Sequence, residues 1–128
     1  MERIKKGDLV EVVTGRDAAA ARREGTKLQS TVHRVIHGFH IDRYKQKIKR
    51  DRAKDRVVVQ GVNLIIKHQR RTGDVRTQVG RIEREAAIHM SNVMLVCPSC
   101  KEATRVGFRV TEEGSKTRYC KRCSEAID

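Results

Sequence analysis

The sequence contains no tryptophan, and aromatic residues make up only 3% of it. A core built on large rings is therefore excluded. The interior has to be assembled from valine, isoleucine and leucine in small β layers that lean on a partner. There is a single proline, Pro98. No apolar run approaches the length needed to span a bilayer, so no membrane contact of that kind is expected. The opening stretch MERIKKGDLVEVV lacks the long apolar segment of a secretory signal, which points to the cytoplasm, where thiols stay reduced. No Ser/His/Asp grouping, phosphate-cradling glycine loop or pair of carboxylates in an apolar setting can be found. The reading is accordingly not an enzyme, with no small-molecule substrate. Apart from two cysteine pairs there is no internal repeat, and there is no low-complexity linker.

What the chain has in excess is positive charge. Its 128 residues hold 29 Lys and Arg against 16 Asp and Glu, a net charge of +13. Such an excess repels itself in the free protein and attracts polyanions, nucleic acid or an anionic membrane surface. The charge is uneven: residues 1–96 carry 22 basic and 11 acidic side chains, and residues 97–128 carry 7 and 5. Polyanion binding therefore belongs mainly to the first part. Its densest stretch is RYKQKIKRDRAKDR (43–56), with eight basic and two acidic residues. Arg43, Lys45, Lys47, Lys49 and Arg50 are candidate phosphate ligands there, and the three lysines would share one face of a strand. Asp51 and Asp55 would pair locally with their basic neighbours. Tyr44 is either a stacking or a packing residue. Lys67, His68, Arg70 and Arg71 form a second group at a strand end; Lys5, Lys6, Arg22 and Arg23 form weaker ones. His33, His37 and His40 would align on a helix, but their segment reads as a strand, so no second metal site is expected.

Cys97, Cys100, Cys120 and Cys123 follow the pattern C-x2-C-x19-C-x2-C. This spacing suits a zinc site: each C-x2-C turn directs two thiolates at one ion, and two turns complete a tetrahedron. A redox pair would need a βαβ setting that the surrounding sequence lacks, and disulfides remain the other alternative. One structural Zn²⁺ is the favoured reading. With four protein ligands it leaves no open position for hydrolytic chemistry.

The pattern of the rest is mainly β. Strands are expected over Leu9–Val13, 30–39, 56–69, 92–97, 104–110 and 117–120, and a loop or hairpin over 73–82 leads into another. Gly61 should bend the long 56–69 strand. DAAAARREG predicts one or two helical turns, with Asp17 as N-cap and Gly25 just beyond the end. Met90 and Met94 are expected to fill gaps in the core.

Four separated stretches, IKKGDLVEVVTGRD, DRVVVQGVNLIIKH, EREAAIHMSNVML and TRVGFRV, resemble in order and spacing the bacterial family of ribosomal protein twenty-four of the large subunit. The ending CPSCKEATRVGFRV…YCKRCSEAID looks like a cysteine-bearing version of that family's C-terminal segment. The resemblance implies a KOW domain, an SH3-like β-barrel, over residues 1–90, and a C-terminal β segment with a four-cysteine zinc ribbon over 91–128. It also implies binding to large-subunit rRNA beside neighbouring ribosomal proteins, early entry into assembly, a place near the peptide tunnel exit, and a monomer within the cytoplasmic ribosome. Gly15, Arg16 and Asp17 match the start of the family's GKDKGKRGKV signature, which adds Arg16 to the RNA-binding candidates. An expanded turn (about 16–30) replaces the remainder, and about 38–55 is a basic extension. Gly61, Val62, Asn63, Lys67 and His68 match GVN…KH. The loop at roughly 69–81 corresponds to the one the family places beside the tunnel exit. The alternative is a KOW or zinc-ribbon transcription factor that binds polymerase or DNA, since such barrels serve both settings.

Overall fold

The computed structural model describes residues 2–70, 73 and 79–127. The chain is mainly β. In order it forms β1 (Leu9–Val12), α1 (Arg16–Arg23), β2 (Gln29–Ile36), β3 (Phe39–Ile41), β4 (Lys47–Arg50) and β5 (Arg56–Val59). These are followed by β6 (Leu64–Gln69), β7 (Gly80–Glu85), β8 (Ile88–His89), β9 (Val93–Val96), β10 (Ala103–Thr104), β11 (Val106–Val110) and β12 (Lys116–Cys120). Short 3₁₀ turns at Arg52–Lys54 and Met90–Asn92 precede β5 and β9.

Six strands form one antiparallel sheet in the order β10-β9-β1-β2-β5-β8. Its inward residues alternate as a half-buried strand requires: Val10 and Val12 are buried in β1, while Leu9 is exposed. Val10, Val32, Val57, Val59 and Val93 meet Ile4, Ala18 and Val62 in a single cluster, so the sheet is rolled around one core as in a small SH3-like barrel. Leu28, Val35, Ile88 and Met90 close its margins. The core contains no aromatic ring, as the composition requires. Each fully buried valine contributes only about 1.5–3 kcal/mol, so specific polar ties matter more here than in a larger core.

β9 pairs with β1, Val10 standing opposite Leu95, and β10 adds to β9. A boundary at 90/91 therefore falls inside a sheet that continues across it. Three hairpins stand apart as two-stranded sheets: β3–β4, β6–β7 and β11–β12.

Several expectations need correction. The 30–39 strand ends at Ile36, Phe39 already belonging to β3 in another sheet, and 104–110 divides at Arg105 between β10 in the six-stranded sheet and β11 in its own hairpin. The 56–69 stretch is two strands in different sheets. Gly61, at φ +69°, and Asn63, at φ +56°, turn the chain so that β5 stays in the barrel and β6 leaves it. Asp17 is not the N-cap of α1; Gly15 holds that position without a side-chain cap. Asp17 sits in the first turn, where its carboxylate accepts the backbone N–H of Asn63 at 2.6 Å, tying the helix to the β5–β6 turn. Gly25 follows the helix at φ +72°, as expected.

Candidate metal centre and basic surfaces

The four cysteine sulfurs lie within 4.8 Å of one another. Cys97 Sγ and Cys123 Sγ are 3.7 Å apart. A tetrahedron with metal–sulfur bonds of about 2.3 Å has edges of about 3.8 Å, whereas a disulfide needs about 2.0 Å. All four thiols are free. The spacing and the all-thiolate donor set fit a closed zinc site. Among the described residues this is the only cluster of three or more His, Cys, Asp or Glu side chains able to share a metal.

The two pairs are built alike. Cys97 N–H donates to the Glu102 carbonyl and Lys101 N–H to the Cys97 carbonyl; Cys120 N–H donates to the Glu125 carbonyl and Ser124 N–H to the Cys120 carbonyl. Lys101 and Ser124 both take left-handed backbone angles, at φ +56° and +63°. Each turn thus closes at the same step after its second cysteine. Arg122 and Glu102 form an ion pair across the two turns.

The thiols divide by position. Burial raises Cys97, but the amides of Cys100 and Ser99 and the neighbouring thiols outweigh it and lower its pKa. Burial likewise raises Cys120, yet the Thr104 hydroxyl and the amides of Cys123 and Arg122 bring it down to about 6. Burial and the Cys97 thiol raise Cys100. The Glu125 amide lowers Cys123, but burial and the three other sulfurs push it up to about 12. In each pair the first cysteine is lowered and the second raised. Crowded sulfurs resist becoming thiolates together, and a divalent cation removes that resistance.

The hairpin that carries Cys120 has little core of its own: Phe108 and Val110 are exposed. It is tied to the barrel by Arg118, whose side chain is 4% exposed. Arg118 Nη1 donates to Asp8 Oδ2 at 2.5 Å and to the Arg3 carbonyl at 3.2 Å, and Nη2 donates to Asp8 Oδ1 at 3.2 Å. Asp8 also accepts the Lys5 N–H at 2.7 Å. Sequence reading missed this pair, because its members lie 110 residues apart and nothing local links one to the other.

The basic candidates occupy four places. On β3–β4, Lys45 lies in the turn at φ +61° and a bulge interrupts the register, with Ile41 opposite Lys47 and His40 opposite Lys49. Lys47 and Lys49 therefore point to opposite faces, which corrects the expectation of one face shared by Lys45, Lys47 and Lys49. Lys47 Nζ lies 4.9 Å over the Phe39 ring. Tyr44 is 78% exposed and packs no core. Arg50 turns inward, bonding Asp55 at 3.2 Å and His37 at 2.9 Å, with Glu2 at 3.7 Å. Asp51 pairs with Lys54. Gly38 makes this junction possible: a Cβ there would lie 2.4 Å from Lys54 Cβ.

On β6–β7, Lys67 and His68 are exposed and stand opposite Ile82 and Arg81. Arg70 follows the strand, and Arg71 lies outside the described residues, as does most of the 69–81 loop. Near the helix, Arg22 donates to the Val13 carbonyl, Arg16 pairs with Asp17, and Arg23 is exposed. Lys6 is exposed beside Lys5 in the N-terminal turn.

Residues 62–127 match the family described as Large ribosomal subunit protein uL24, C-terminal domain. The uL24 protein of Fervidobacterium nodosum is 45% identical, over 99% of this chain and 96% of its own length. That of Thermomicrobium roseum is 44% identical over 99% and 90%, and that of Halothermothrix orenii 42% over 98% of each. The chain belongs to the uL24 family. It is a structural protein of the large ribosomal subunit and not an enzyme. The alternative of a transcription factor gives way, because the likeness runs through the barrel, both free hairpins of the second half and the cysteine turns. The stretch that matches the uL24 C-terminal domain starts at Val62, in the turn that sends β6 out of the barrel, and takes in both cysteine pairs. Among the described residues no helix is long and apolar enough to cross a membrane.

Proposed function

We propose that this chain binds large-subunit rRNA as a monomer, enters the cytoplasmic ribosome early in subunit assembly, and lies near the peptide tunnel exit with neighbouring ribosomal proteins. The observation that carries the reading is the chain's net charge of +13, with its densest basic stretch on and beside the β3–β4 hairpin that stands off the barrel. Lysine and arginine there neutralise phosphates and release counterions. Arg43, Lys45, Lys47, Lys49, Lys67, His68 and Arg23 are open to solvent and form the main contact set, with Lys5, Lys6, Arg16 and Arg70 as further contacts; Arg71 is added on its sequence alone. Arg22 and Arg50 act chiefly by holding their helix and hairpin in place.

One zinc bound by Cys97, Cys100, Cys120 and Cys123 serves as a clamp for a hairpin too thin to stand alone. Elemental analysis should find one zinc per chain; a folded C-terminus without metal would overturn this part.

RNA binding is tested by changing Arg43, Lys45, Lys47 and Lys49 together to Gln, leaving Arg50 to its buried partner. Affinity for rRNA should fall, and its logarithmic dependence on salt should flatten by about 0.7–0.9 for each phosphate that is no longer neutralised. An unchanged slope would mean that this hairpin is merely solvated. Cosedimentation with large subunits after a high-salt wash tests the location.

A further inference from the structure

The β6–β7 hairpin forms a sheet of its own, and Leu64, Ile65 and Ile66 are each about half exposed, on both faces. A lone two-stranded ribbon is marginal in water, and aliphatic side chains open on both sides call for cover on both sides. Cross-strand pairing sorts the charges. On one face Ile65 stands opposite Arg84 and Lys67 opposite Ile82, so the apolar pair is flanked by two cations and no carboxylate. On the other face Leu64 stands opposite Glu85 and Ile66 opposite Glu83, with His68 and Arg81 further toward the tip. Glu85 is fixed there, accepting the Gly61 N–H at 2.7 Å.

We infer that the stretch of this face formed by Leu64, Ile66, Glu83 and Glu85 docks against a basic protein neighbour in the large subunit, while the opposite face, together with His68 and Arg81 beyond the carboxylates, lies on RNA. The inference rests on the rRNA-binding reading. Carboxylates held against phosphates would repel them and lose their own hydration. Against an apolar patch rimmed by Lys or Arg, the same carboxylates pair while Leu64 and Ile66 are covered. The Ile65 face has the reverse character, cations without carboxylates.

The test places a benzophenone side chain at Ile66, or separately at Ile65, in the full chain assembled into large subunits of the source organism. Irradiation should give an adduct at Ile66 that resists nuclease and is lost to protease, and an adduct at Ile65 that nuclease removes. Glu83→Lys should abolish the adduct at Ile66 and leave the one at Ile65. An RNA adduct at Ile66, no adduct there, or one indifferent to Glu83→Lys overturns the inference. If the probe at Ile66 keeps the chain out of the subunit, Leu64 offers the same face. A protein adduct at Ile66 with no RNA adduct at Ile65 would instead count against the RNA reading.

Discussion

Arg118→Met cuts the main polar tie between the cysteine-bearing β11–β12 hairpin and the barrel. The Arg118 side chain is 4% exposed and Asp8 13%, so the pair has largely left water. Removing one partner of such a pair costs about 3–5 kcal/mol, because the other charge stays behind uncompensated. Asp8 would keep the Lys5 N–H and some contact with solvent, which places the cost near the lower end, about 3 kcal/mol. For a chain of this size each kcal/mol moves the midpoint by about 3–5 °C, so Tm should fall by about 9–15 °C. Far-ultraviolet circular dichroism under heating, with zinc saturating for parent and variant, reads this directly. Adding Asp8→Asn should recover much of the loss, since no stranded charge remains. A fall of less than about 3 °C, the size expected of a surface pair, would refute the reasoning.

Other outcomes follow from single contacts. Asp17→Ala strands the Asn63 N–H beneath α1 and should cost about 1–3 kcal/mol in urea unfolding. Gly38→Ala drives a methyl into Lys54 and the Asp51 carbonyl, and should cost about 1–3 kcal/mol; undiminished stability would show that the 3₁₀ turn yields freely. Zinc binding should release protons, because all four ligands must be thiolates. At neutral pH the number should be below four, since Cys120, at about 6, is already ionised, while Cys123, at about 12, must give up its proton. Acidification protonates the ligands, so affinity must fall with falling pH. Calorimetry in buffers of different ionisation heat counts the protons; four would show that Cys120 holds its own in the free protein.

β1, β5 and the paired cysteines were legible because their signals are local. Alternation marks β1, the valine run marks β5, and the spacing of the cysteines reports two turns that bring four sulfurs together. What sequence could not reveal is set by distance and register. Nothing near Asp8 announces Arg118, and nothing in GRDAAAARR shows that Asp17 would cap a distant turn rather than its own helix. The bulge that separates Lys47 from Lys49 arises from pairing with β3, which the lysines themselves do not specify. The valine-rich 56–69 stretch looked continuous because both halves are strands; only the left-handed residues at its middle separate the barrel from the free hairpin.

The pairing of β1 with β9 has a consequence for the order in which the chain folds. Val10 finds Ser30 on one side after 20 residues, but Leu95 on the other only after 85. While the chain is being synthesised, β1 is an edge strand for most of that time, with its outer hydrogen-bonding groups unpaired. The barrel therefore closes late, and closing depends on a contact between distant parts of the chain, which slows it. A message truncated before Val93 would yield a chain with an open edge prone to pairing with its own copies.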